Sequence, residues 1–534
     1  MKKKTAIFLG FQPGVNLAAE GIGRLLAFLL KENDVDSDSV VLFCPAWLTQ
    51  SIYELFKDNK ISNNKFEIIC TDNIPFGVRL KTYIKQRRNK KVTTSRIKQL
   101  IMKTMKKSLN LFNDLTVNFL GTTSLFYLLG KVIGYLLISI ILLPFGILFS
   151  ILYLLYSLFS KTKKKVNFFT ERALANNSLI KKNKSLLLKA RGIIYQRLID
   201  NELKRVVALV NKHEEIKVCF IPSMSWPQIK GIDCKKVLAS PDIVFYDFPT
   251  QFPGEVANHS RIRKSIEAAD SIICYSEYVK THHLVNKCGI DARKITVIKH
   301  ANINMSEHLK VPKAIINYFT QKQNAQQIVN EFIRINYGNG HILSKSNIEQ
   351  MNFIIYPSQC RPHKNINNLV KAIKIINRDM HRNVKLILTG DITSIKSIPE
   401  YIRANHLQND IFVMHNLSSE ILAAFTKLSK CAVNPTLFEG GFPFTFSEAY
   451  SVGTPSVMSN IPVVHAEIDD SHLSDLMLFD PYNPHSIAHK IIWAVDNAQF
   501  LFEAQDDLFK KFEQRDWKTV VREYNQVFRE NMSK

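Results

Sequence analysis

Short apolar runs of strand length alternate with amphipathic stretches near the start of the chain. TAIFLG (5–10) is followed by a glycine-containing turn and then by a helical stretch that includes GIGRLLAFLL. The further runs of strand length in this part are VVLFCPAW (40–47), FEIIC (66–70), VCFIPS (218–223), DIVFYDF (242–248) and SIICYS (271–276). Strands that alternate with helices predict a parallel sheet covered by helices on both faces, which is an α/β fold.

A second alternation of the same kind occupies the later part of the chain. Its strand-like runs are NFIIYPS (352–358), KLILTGD (385–391), IFVMHN (411–416), KCAVNP (430–435) and PSVMSN (455–460). At 534 residues the chain is too long for one hydrophobic core, so two domains are expected. Residues 1–80 and 211–305 are predicted to form the first Rossmann-like domain, and 351–500 the second. Residues 306–350 are polar and poorly patterned, which indicates a linker with an irregular helix, and the helices of 501–534 are expected to pack back on the first domain.

The pattern changes over residues 81–210, which are predicted to be an insertion in the first domain. Residues 85–107 carry ten basic side chains and no acidic one, and residues 132–159 carry no charge over 28 positions. About 20 apolar residues are enough to cross a bilayer as a helix. The strands before and after the insertion belong to one domain, so both of its flanks must lie on the same side of the membrane. Both flanks are basic, as is typical of cytoplasmic segments.

Two arrangements of a membrane hairpin at about 113–160 satisfy this constraint. In one, Pro144 divides the apolar segment into halves too short to span, which gives a re-entrant hairpin that turns at PFG. In the other, 113–130 and 132–159 form two crossings. Either arrangement places the protein at the cytoplasmic face of the inner or plasma membrane.

The net charge of +25 indicates an anionic partner, which could be nucleic acid, an acidic membrane surface or a phosphorylated substrate. The basic residues cluster around the apolar segment and lack the interleaved aromatic residues of a stacking platform, so a membrane surface is favoured over nucleic acid. The eight cysteines form no CxxC pair, which disfavours zinc and favours buried free thiols in a reducing compartment. The N-terminal apolar stretch is too short for a signal peptide and is interpreted as a first strand.

Three segments of the second domain carry candidate chemistry at the carboxyl ends of strands, where ligands bind in open α/β sheets. SQCRPHKN (358–365) supplies Arg361 and Lys364 beside free backbone N–H groups, which favours an anion site. Gly390 ends KLILTGD and allows a close approach of a ligand. Each feature alone also fits a solvated helix start or a simple turn.

The third segment, EGGFPFTFSEAYSV (439–452), joins a strand to a helix through a loop. Gly440 and Gly441 permit a tight backbone near the helix N-terminus. Glu439 in the loop and Glu448 in the helix can accept hydrogen bonds from the paired hydroxyl groups of a sugar or ribose. A lone loop glutamate is more often a surface residue, but two glutamates that flank Gly-Gly beside an anion site favour a ligand.

These segments resemble the motifs of retaining GT-B glycosyltransferases of family 4. EGGFPFTFSEAYSVGTP is similar to the family's paired-glutamate signature, and YPSQCRPHKNINNLVKAI to the strand and helix that bring the phosphate-binding residues. VIKHANI, AADSIICYSEYVKTHHL and EGIGRLLAFLL resemble three further family segments. The matches come in the family's order and span most of the chain outside 80–210.

The resemblance implies two Rossmann-like domains that face a cleft, with a nucleotide-sugar donor bound mainly by the second. It implies transfer of a hexose, with mannose among the candidates, with retention of configuration and without a metal or other cofactor. Arg361 and Lys364 would neutralise the leaving diphosphate, Glu448 would bind the ribose, and Glu439 would contact the sugar or stabilise the developing cation. Gly21 would lie against the diphosphate.

The resemblance also bears on the acceptor. Such enzymes place a histidine or aspartate of the first domain near the acceptor, and Asp247 is the candidate, with a structural role in a turn as the alternative. The acceptor is expected to be lipid-linked or an oligosaccharide, and bacterial surface-polysaccharide synthesis is the pathway expected by analogy.

The chain departs from the family's pattern in three places. Eight residues separate Glu439 from Glu448 instead of seven, so either the loop bulges or Glu439 is displaced. Gln359 stands where many relatives have arginine, and Ala301 replaces the usual glycine before the linker. A second hypothesis is therefore a degenerate GT-B subunit that binds a nucleotide sugar or a partner without turnover.

Overall fold

A computed structural model describes residues 4–17, 20–33, 40–89, 130, 133–134, 178–240, 243–248, 255–310, 318–338, 341–345, 347–415 and 417–533. The chain forms two compact units, one of residues 1–73 with 202–534 and one of residues 74–201. The predicted membrane hairpin at about 113–160 lies outside the described residues except for 130, 133 and 134. Of the helices that the structure describes, none combines the length and apolar character needed to cross a bilayer.

The larger unit contains two parallel β-sheets. The strands of the first are β1 (Lys4–Phe8), β2 (Val40–Cys44), β3 (Glu67–Cys70), β4 (Ile216–Ile221), β5 (Lys235–Ala239), β6 (Ser271–Cys274) and β7 (Ile295–Val297). The strands of the second are β8 (Phe353–Tyr356), β9 (Lys385–Leu388), β10 (Ile411–Val413), β11 (Cys431–Asn434), β12 (Ser456–Ser459) and β13 (Leu478–Phe479). Two parallel, Rossmann-like sheets confirm the predicted α/β class.

The strand order in each sheet reverses once. The first sheet has the order β3-β2-β1-β4-β5-β6-β7, and the second has the order β10-β9-β8-β11-β12-β13. The reversals lie between β1 and β4 and between β8 and β11. Because neighbouring loops diverge at such a point, each reversal opens a crevice beyond the carboxyl ends of the strands, and ligands bind there in open sheets.

The helices follow the strands in the order typical of doubly wound sheets. Those in the first part of the chain are α1 (Gly21–Lys31), α2 (Thr49–Asp58), α3 (Phe76–Asn89), α4 (Ser178–Asn211), α5 (Glu255–Ala268), α6 (Tyr318–Asn336) and α7 (Ile342–Lys345). The later helices are α8 (Ile366–Lys374), α9 (Ser397–Ala404), α10 (Ser419–Leu428), α11 (Phe444–Tyr450), α12 (Pro462–His465), α13 (Ser471–Met477), α14 (Pro484–Asp496), α15 (Ala498–Ala504), α16 (Asp506–Glu513) and α17 (Trp517–Ser533).

The strand sequences explain why the second sheet is covered on both faces. All four residues of β8, FIIY, are buried. Alternate side chains of a strand point to opposite faces, so Ile354 and Tyr356 enter one core while Phe353 and Ile355 enter the other. Continuous apolar runs of this kind are typical of parallel sheets with helices on both sides.

The last helix of the chain, α17, covers one face of the first sheet. Its buried side chains include Trp517, Val520 and Tyr524. The Trp517 ring stacks on Phe28 of α1 at 4.2 Å between centroids, and the Tyr524 ring meets Phe220 of β4 edge-on at 5.6 Å. The chain therefore returns from the second sheet to complete the core of the first.

One local prediction was wrong. DIVFYDF is not a strand, because its central residues form a 3-10 turn over Val244–Tyr246 and the strand is KKVLA at Lys235–Ala239. KKVLA buries Val237, Leu238 and Ala239, and these apolar side chains take the place in the sheet. The stretch from 305 to 350 contains a regular 19-residue helix, α6. Most of its exposed residues are polar, but one face is apolar and packs on α10. This face consists of Ala325, Val329 and Ile333, which are spaced four residues apart.

Candidate active site

The loop after β8 carries the two predicted anion-binding residues. Arg361 precedes a 3-10 turn over Pro362–Lys364, and Asn365 follows it in the left-handed conformation at φ 56°. The Asn365 amide donates to the carbonyl groups of Pro435 at 2.9 Å and Pro481 at 2.7 Å. These bonds tie the loop after β8 to the loop after β11, so Arg361 and Lys364 are held at the crevice between those two strands.

Neighbouring side chains orient the guanidinium group of Arg361. Its Nη2 donates to Gln359 Oε1 at 2.8 Å, so the glutamine that replaces the usual arginine positions Arg361. His363 is buried between the two cations. Burial, and to a smaller extent the positive charges of Lys364 and Arg361, lower the pKa of His363 to about 3. The imidazole is therefore neutral at physiological pH, and the positive charge of the loop comes from Arg361 and Lys364.

Gly390, two residues after β9, supports this loop through its lack of a side chain. A Cβ atom at this position would lie 2.5 Å from the carbonyl oxygen of Ser358 and 2.6 Å from the amide nitrogen of Cys360. Both atoms belong to the backbone and cannot yield as a flexible side chain would. Gly390 therefore lets the loop that bears Arg361 lie directly on the end of β9.

The loop after β11 holds Glu439 against Lys364. The Lys364 Nζ and a Glu439 carboxylate oxygen are 2.5 Å apart, and each side chain is 19% exposed. The predicted sugar-binding carboxylate and a predicted phosphate-binding cation thus lie in direct contact, at the end of the second sheet's reversal point. A ligand in this crevice would meet both charges.

Gly440 and Gly441 bring the same loop against the first domain. The Ser276 hydroxyl, just after β6, donates to the Gly440 carbonyl oxygen at 2.8 Å. A Cβ atom on Gly441 would lie 3.2 Å from the Cβ of Tyr275. The loop that carries the extra residue between the two glutamates is therefore anchored to the first domain through its backbone.

Glu448 lies in α11 and is almost completely buried. Its carboxylate forms an ion pair with Arg24 of α1, and the Glu448 side chain is only 3% exposed. Glu20, at the N-terminus of the same helix, pairs with Arg361 at 2.8 Å. Gly21 follows Glu20, and a Cβ atom there would meet nothing within 4 Å. The N-terminal segment of α1 therefore faces the predicted donor-binding residues.

Asp247 lies in a charged cluster of the first domain. Its carboxylate contacts His283 Nε2 at 2.9 Å and Lys287 Nζ at 2.5 Å, and both partners come from a π-helix over Val279–Lys287. Partial burial raises the pKa of Asp247, but the hydrogen bonds from His283 and Lys287 outweigh it and lower the pKa to about 2. Asp247 is therefore ionised throughout the physiological range.

The Asp247 cluster also adjoins the loop of Glu439. The His283 ring stacks on Phe438 with centroids 5.2 Å apart and an interplanar angle of 22°. Within the described part of the chain, Asp247, His282 and His283 have ligand atoms within 4.8 Å of one another, as a metal ion requires. The Lys287 ammonium group occupies the same carboxylate, however, so the cluster fits a cation poorly.

Several residues of this site were not predicted from the sequence. Glu20 and Arg24 are four residues apart, a spacing that places both on one face of a helix start, and this was the available signal. Ser276, His283 and Lys287 lie in the segment AADSIICYSEYVKTHHL and its continuation, yet only their spatial neighbours reveal their contacts. Asn365 carries no sequence signal beyond its tolerance of the left-handed conformation.

Two doubly wound parallel sheets, with cations and glutamates at the reversal point of the second and an aspartate beside the first, have the architecture of the GT-B fold. Residues 341–514 match the family described as glycosyl transferases group 1. The match covers the part of the chain that holds the second sheet and the loops with Arg361, Lys364 and Glu439. The match supports the predicted family over these residues.

Two solved structures share this fold. HepE (Alr3699) of Anabaena, in complex with UDP and glucose, is 11% identical with a TM-score of 0.56, and the match covers 98% of this chain and 99% of that one. A glycosyltransferase from Rickettsia africae ESF-5 is 12% identical with a TM-score of 0.51, and the match covers 100% of this chain and 99% of that one. No curated protein matches the sequence.

Proposed function

We propose that the protein transfers a hexose from a nucleotide-sugar donor to a lipid-linked or oligosaccharide acceptor in the cleft between its two domains. The observation that carries this proposal is the contact of Lys364 with Glu439 at the reversal point of the second sheet, beside Arg361. In this proposal Lys364 binds the diphosphate of the donor, and Glu439 contacts its sugar. The proposal needs no metal, because protein cations supply the positive charge.

The charges of the second domain suit departure of the nucleoside diphosphate. As the bond to the sugar breaks, negative charge collects on the diphosphate, and preorganised cations stabilise it most where water is excluded. Lys364 and Arg361 take this role. Glu439, next to Lys364, faces the positive charge that develops on the sugar ring, and Glu448 binds the ribose hydroxyls.

Asp247 orients the acceptor in this proposal. A carboxylate with a pKa of about 2 is a weak base, so it accepts a hydrogen bond from the attacking hydroxyl without removing its proton. The departing phosphate oxygen is a stronger base, since a phosphate monoester has a second pKa of about 6. The proton is therefore expected to go to the leaving group, on the face of the sugar from which it departs.

The identity of the donor is proposed by analogy. The HepE structure contains UDP and glucose, so UDP-glucose is the first donor to test. A mannosyl donor is the alternative. A second function, that of a degenerate subunit that binds a nucleotide sugar without turnover, is favoured by the eight-residue spacing between Glu439 and Glu448.

A thermal-shift screen of the detergent-solubilised protein tests the donor proposal. UDP, GDP, ADP, CMP and their common sugar conjugates are each added at high concentration. A ligand at 100 times its dissociation constant should stabilise the protein by about 2.7 kcal/mol, and one nucleotide family is expected to do so. Glu448→Gln should abolish the shift, while Glu349→Gln, on an exposed surface, should retain it.

Two results of the screen would contradict the donor proposal. Absence of a shift with every nucleotide would exclude a functional donor site. A shift without any transfer or hydrolysis of the matching sugar conjugate would favour the degenerate subunit.

We further propose that the protein works at the cytoplasmic face of a membrane, where a lipid-linked acceptor is presented. The charge of +25 supports an anionic surface as a partner. One face of α3 exposes Phe76, Leu80 and Tyr83 at helical spacing, and Arg79 and Lys81 flank them. An exposed apolar stripe with basic flanks suits the interface of an anionic bilayer.

Deletion of 113–160 tests this membrane proposal. The full chain is expected to sediment with membranes and the deletion variant to remain in the supernatant. The deletion variant should still give the thermal shift of the full chain with the same nucleotide, which shows that it is folded. A folded variant that still sediments with membranes would refute the predicted hairpin as the anchor.

A further inference from the structure

The charged groups of the donor site are all neutralised within the protein. Arg361 pairs with Glu20, Lys364 with Glu439, and Glu448 with Arg24. Two of these three pairs cross the cleft, and both crossing pairs use one short segment of the first domain, Glu20 to Arg24. A donor that binds Arg361 and Glu448 must therefore displace the side chains of Glu20 and Arg24 from them.

We propose that Glu20 and Arg24 determine which ligands bind best in the donor site, because together they favour ligands that exchange both ion pairs. The inference rests on the proposed donor-binding roles of Arg361 and Glu448. Glu20 places a carboxylate on Arg361 where the donor would place its diphosphate. Arg24 places a guanidinium group on Glu448 where the donor would place its two ribose hydroxyls.

The two contacts call for different ligand groups. Only an anion can replace the Glu20 carboxylate on Arg361, and a diphosphate does so with more charge and more acceptor oxygens. Glu448 is nearly buried, so leaving its carboxylate without a partner is costly. A pair of hydroxyl donors can replace Arg24 there. A ligand with only one of these groups replaces one ion pair, and the other ion pair stays intact.

Both contacts come from one helical turn. The amide nitrogen of Arg24 donates to the carbonyl oxygen of Glu20 at 3.0 Å, so both residues belong to the first turn of α1. Leu17, just before this turn, is fixed by its N–H bond to the Ser51 hydroxyl at 2.9 Å. At Gly23 a Cβ atom would lie 1.8 Å from the Leu17 carbonyl oxygen, so the turn packs tightly on the preceding loop. The backbone of this turn is therefore held in place, and a ligand must displace the Glu20 and Arg24 side chains, each from its own partner.

Two single substitutions separate the contacts. Glu20→Gln leaves Arg361 without its carboxylate partner, and Arg24→Gln leaves Glu448 without its cation. Binding of three probes to the detergent-solubilised full chain is measured by calorimetry. Inorganic pyrophosphate carries only the anion, the nucleoside of the responding nucleotide carries only the diol, and the nucleoside diphosphate carries both.

A crossed pattern is expected. Glu20→Gln should raise the affinity for pyrophosphate about fivefold, in line with the strength of a partly exposed ion pair, and should leave the affinity for the nucleoside unchanged. Arg24→Gln should raise the affinity for the nucleoside about tenfold and leave pyrophosphate unchanged. Glu32→Gln and Lys31→Gln, at the other end of α1, are the charge-matched controls and should match the wild type with every probe.

Arg24→Lys keeps a cation at Glu448 and serves as the second variant if Arg24→Gln fails to fold. It should still exclude the free nucleoside, and its melting temperature without ligand should lie near that of the wild type. Loss of affinity for the nucleoside diphosphate in both Glu20→Gln and Arg24→Gln would overturn the inference, because the two residues would then be direct donor ligands. Equal affinities in all variants would overturn it as well.

The outcome for the wild type separates this inference from the proposed function. If the wild-type protein binds no nucleoside diphosphate, the proposed function itself is wrong. If the wild-type protein binds the nucleoside diphosphate but the variants do not show the crossed pattern, the proposed function stands. Only the inference about Glu20 and Arg24 is then wrong.

Discussion

Lys364→Met should lower kcat for sugar transfer by about 10²–10³-fold, the usual loss when one preorganised charge is removed from a transition state. Lys364 is the cation closest to Glu439, and it is only 19% exposed. Its charge therefore acts with little screening by water, at the point where the diphosphate leaves. The measurement is the initial rate of transfer or hydrolysis of the sugar conjugate that stabilises the wild-type protein.

Removal of Lys364 also leaves Glu439 without its partner, so a matched series is needed. Lys371→Met removes an exposed lysine from α8 and should leave kcat unchanged. Lys364→Met combined with Glu439→Gln should recover the melting temperature without recovering kcat, because the unpaired carboxylate is gone while the cation is still missing. A kcat within tenfold of the wild type in the single variant would contradict a role of Lys364 in stabilising the leaving group.

Gly390→Ala should destabilise the fold by about 1–3 kcal/mol and weaken donor binding at least tenfold. The added methyl group would lie 2.5 Å from the Ser358 carbonyl oxygen and 2.6 Å from the Cys360 amide nitrogen. The loop must move to accommodate it, and Arg361 moves with the loop. Chemical denaturation measures the stability, and the nucleotide-induced thermal shift measures the binding.

Gly338→Ala is the control for this change, since a Cβ atom at Gly338 meets nothing within 4 Å. It should change neither the stability nor the thermal shift. If Gly390→Ala bound the nucleotide as the wild type does, the position of the loop after β8 would not depend on close packing against β9.

The strands of both domains were largely accessible to prediction from the sequence. Parallel strands buried on both faces appear as continuous apolar runs, and β8, β9 and β11 were found in this way. β13 was missed because it has only two residues, too few to show a pattern. The turn at Val244–Tyr246 was mistaken for a strand because its apolar and aromatic residues form a run like that of a strand, although only Val244 is buried.

The site was accessible only in part. Arg361, Lys364, Glu439 and Glu448 follow strands in the sequence, and the rule that ligands bind at strand ends placed them near one another. The partners of these residues could not be found in this way. The pairing of Glu20 with Arg361 joins positions 341 residues apart and depends on how the two sheets face each other. No local pattern encodes that contact.

The position of α17 has a consequence for synthesis of the chain. The sheet face that contains Phe220 is covered by Tyr524, so the first domain cannot close its core until the ribosome has made both sheets. At typical elongation rates of about 5–20 residues per second, the interval between these two positions lasts roughly 15–60 s. During that time the apolar face of β4 has no permanent cover. We therefore expect chaperones to bind the nascent first domain. The second domain can finish folding before the first.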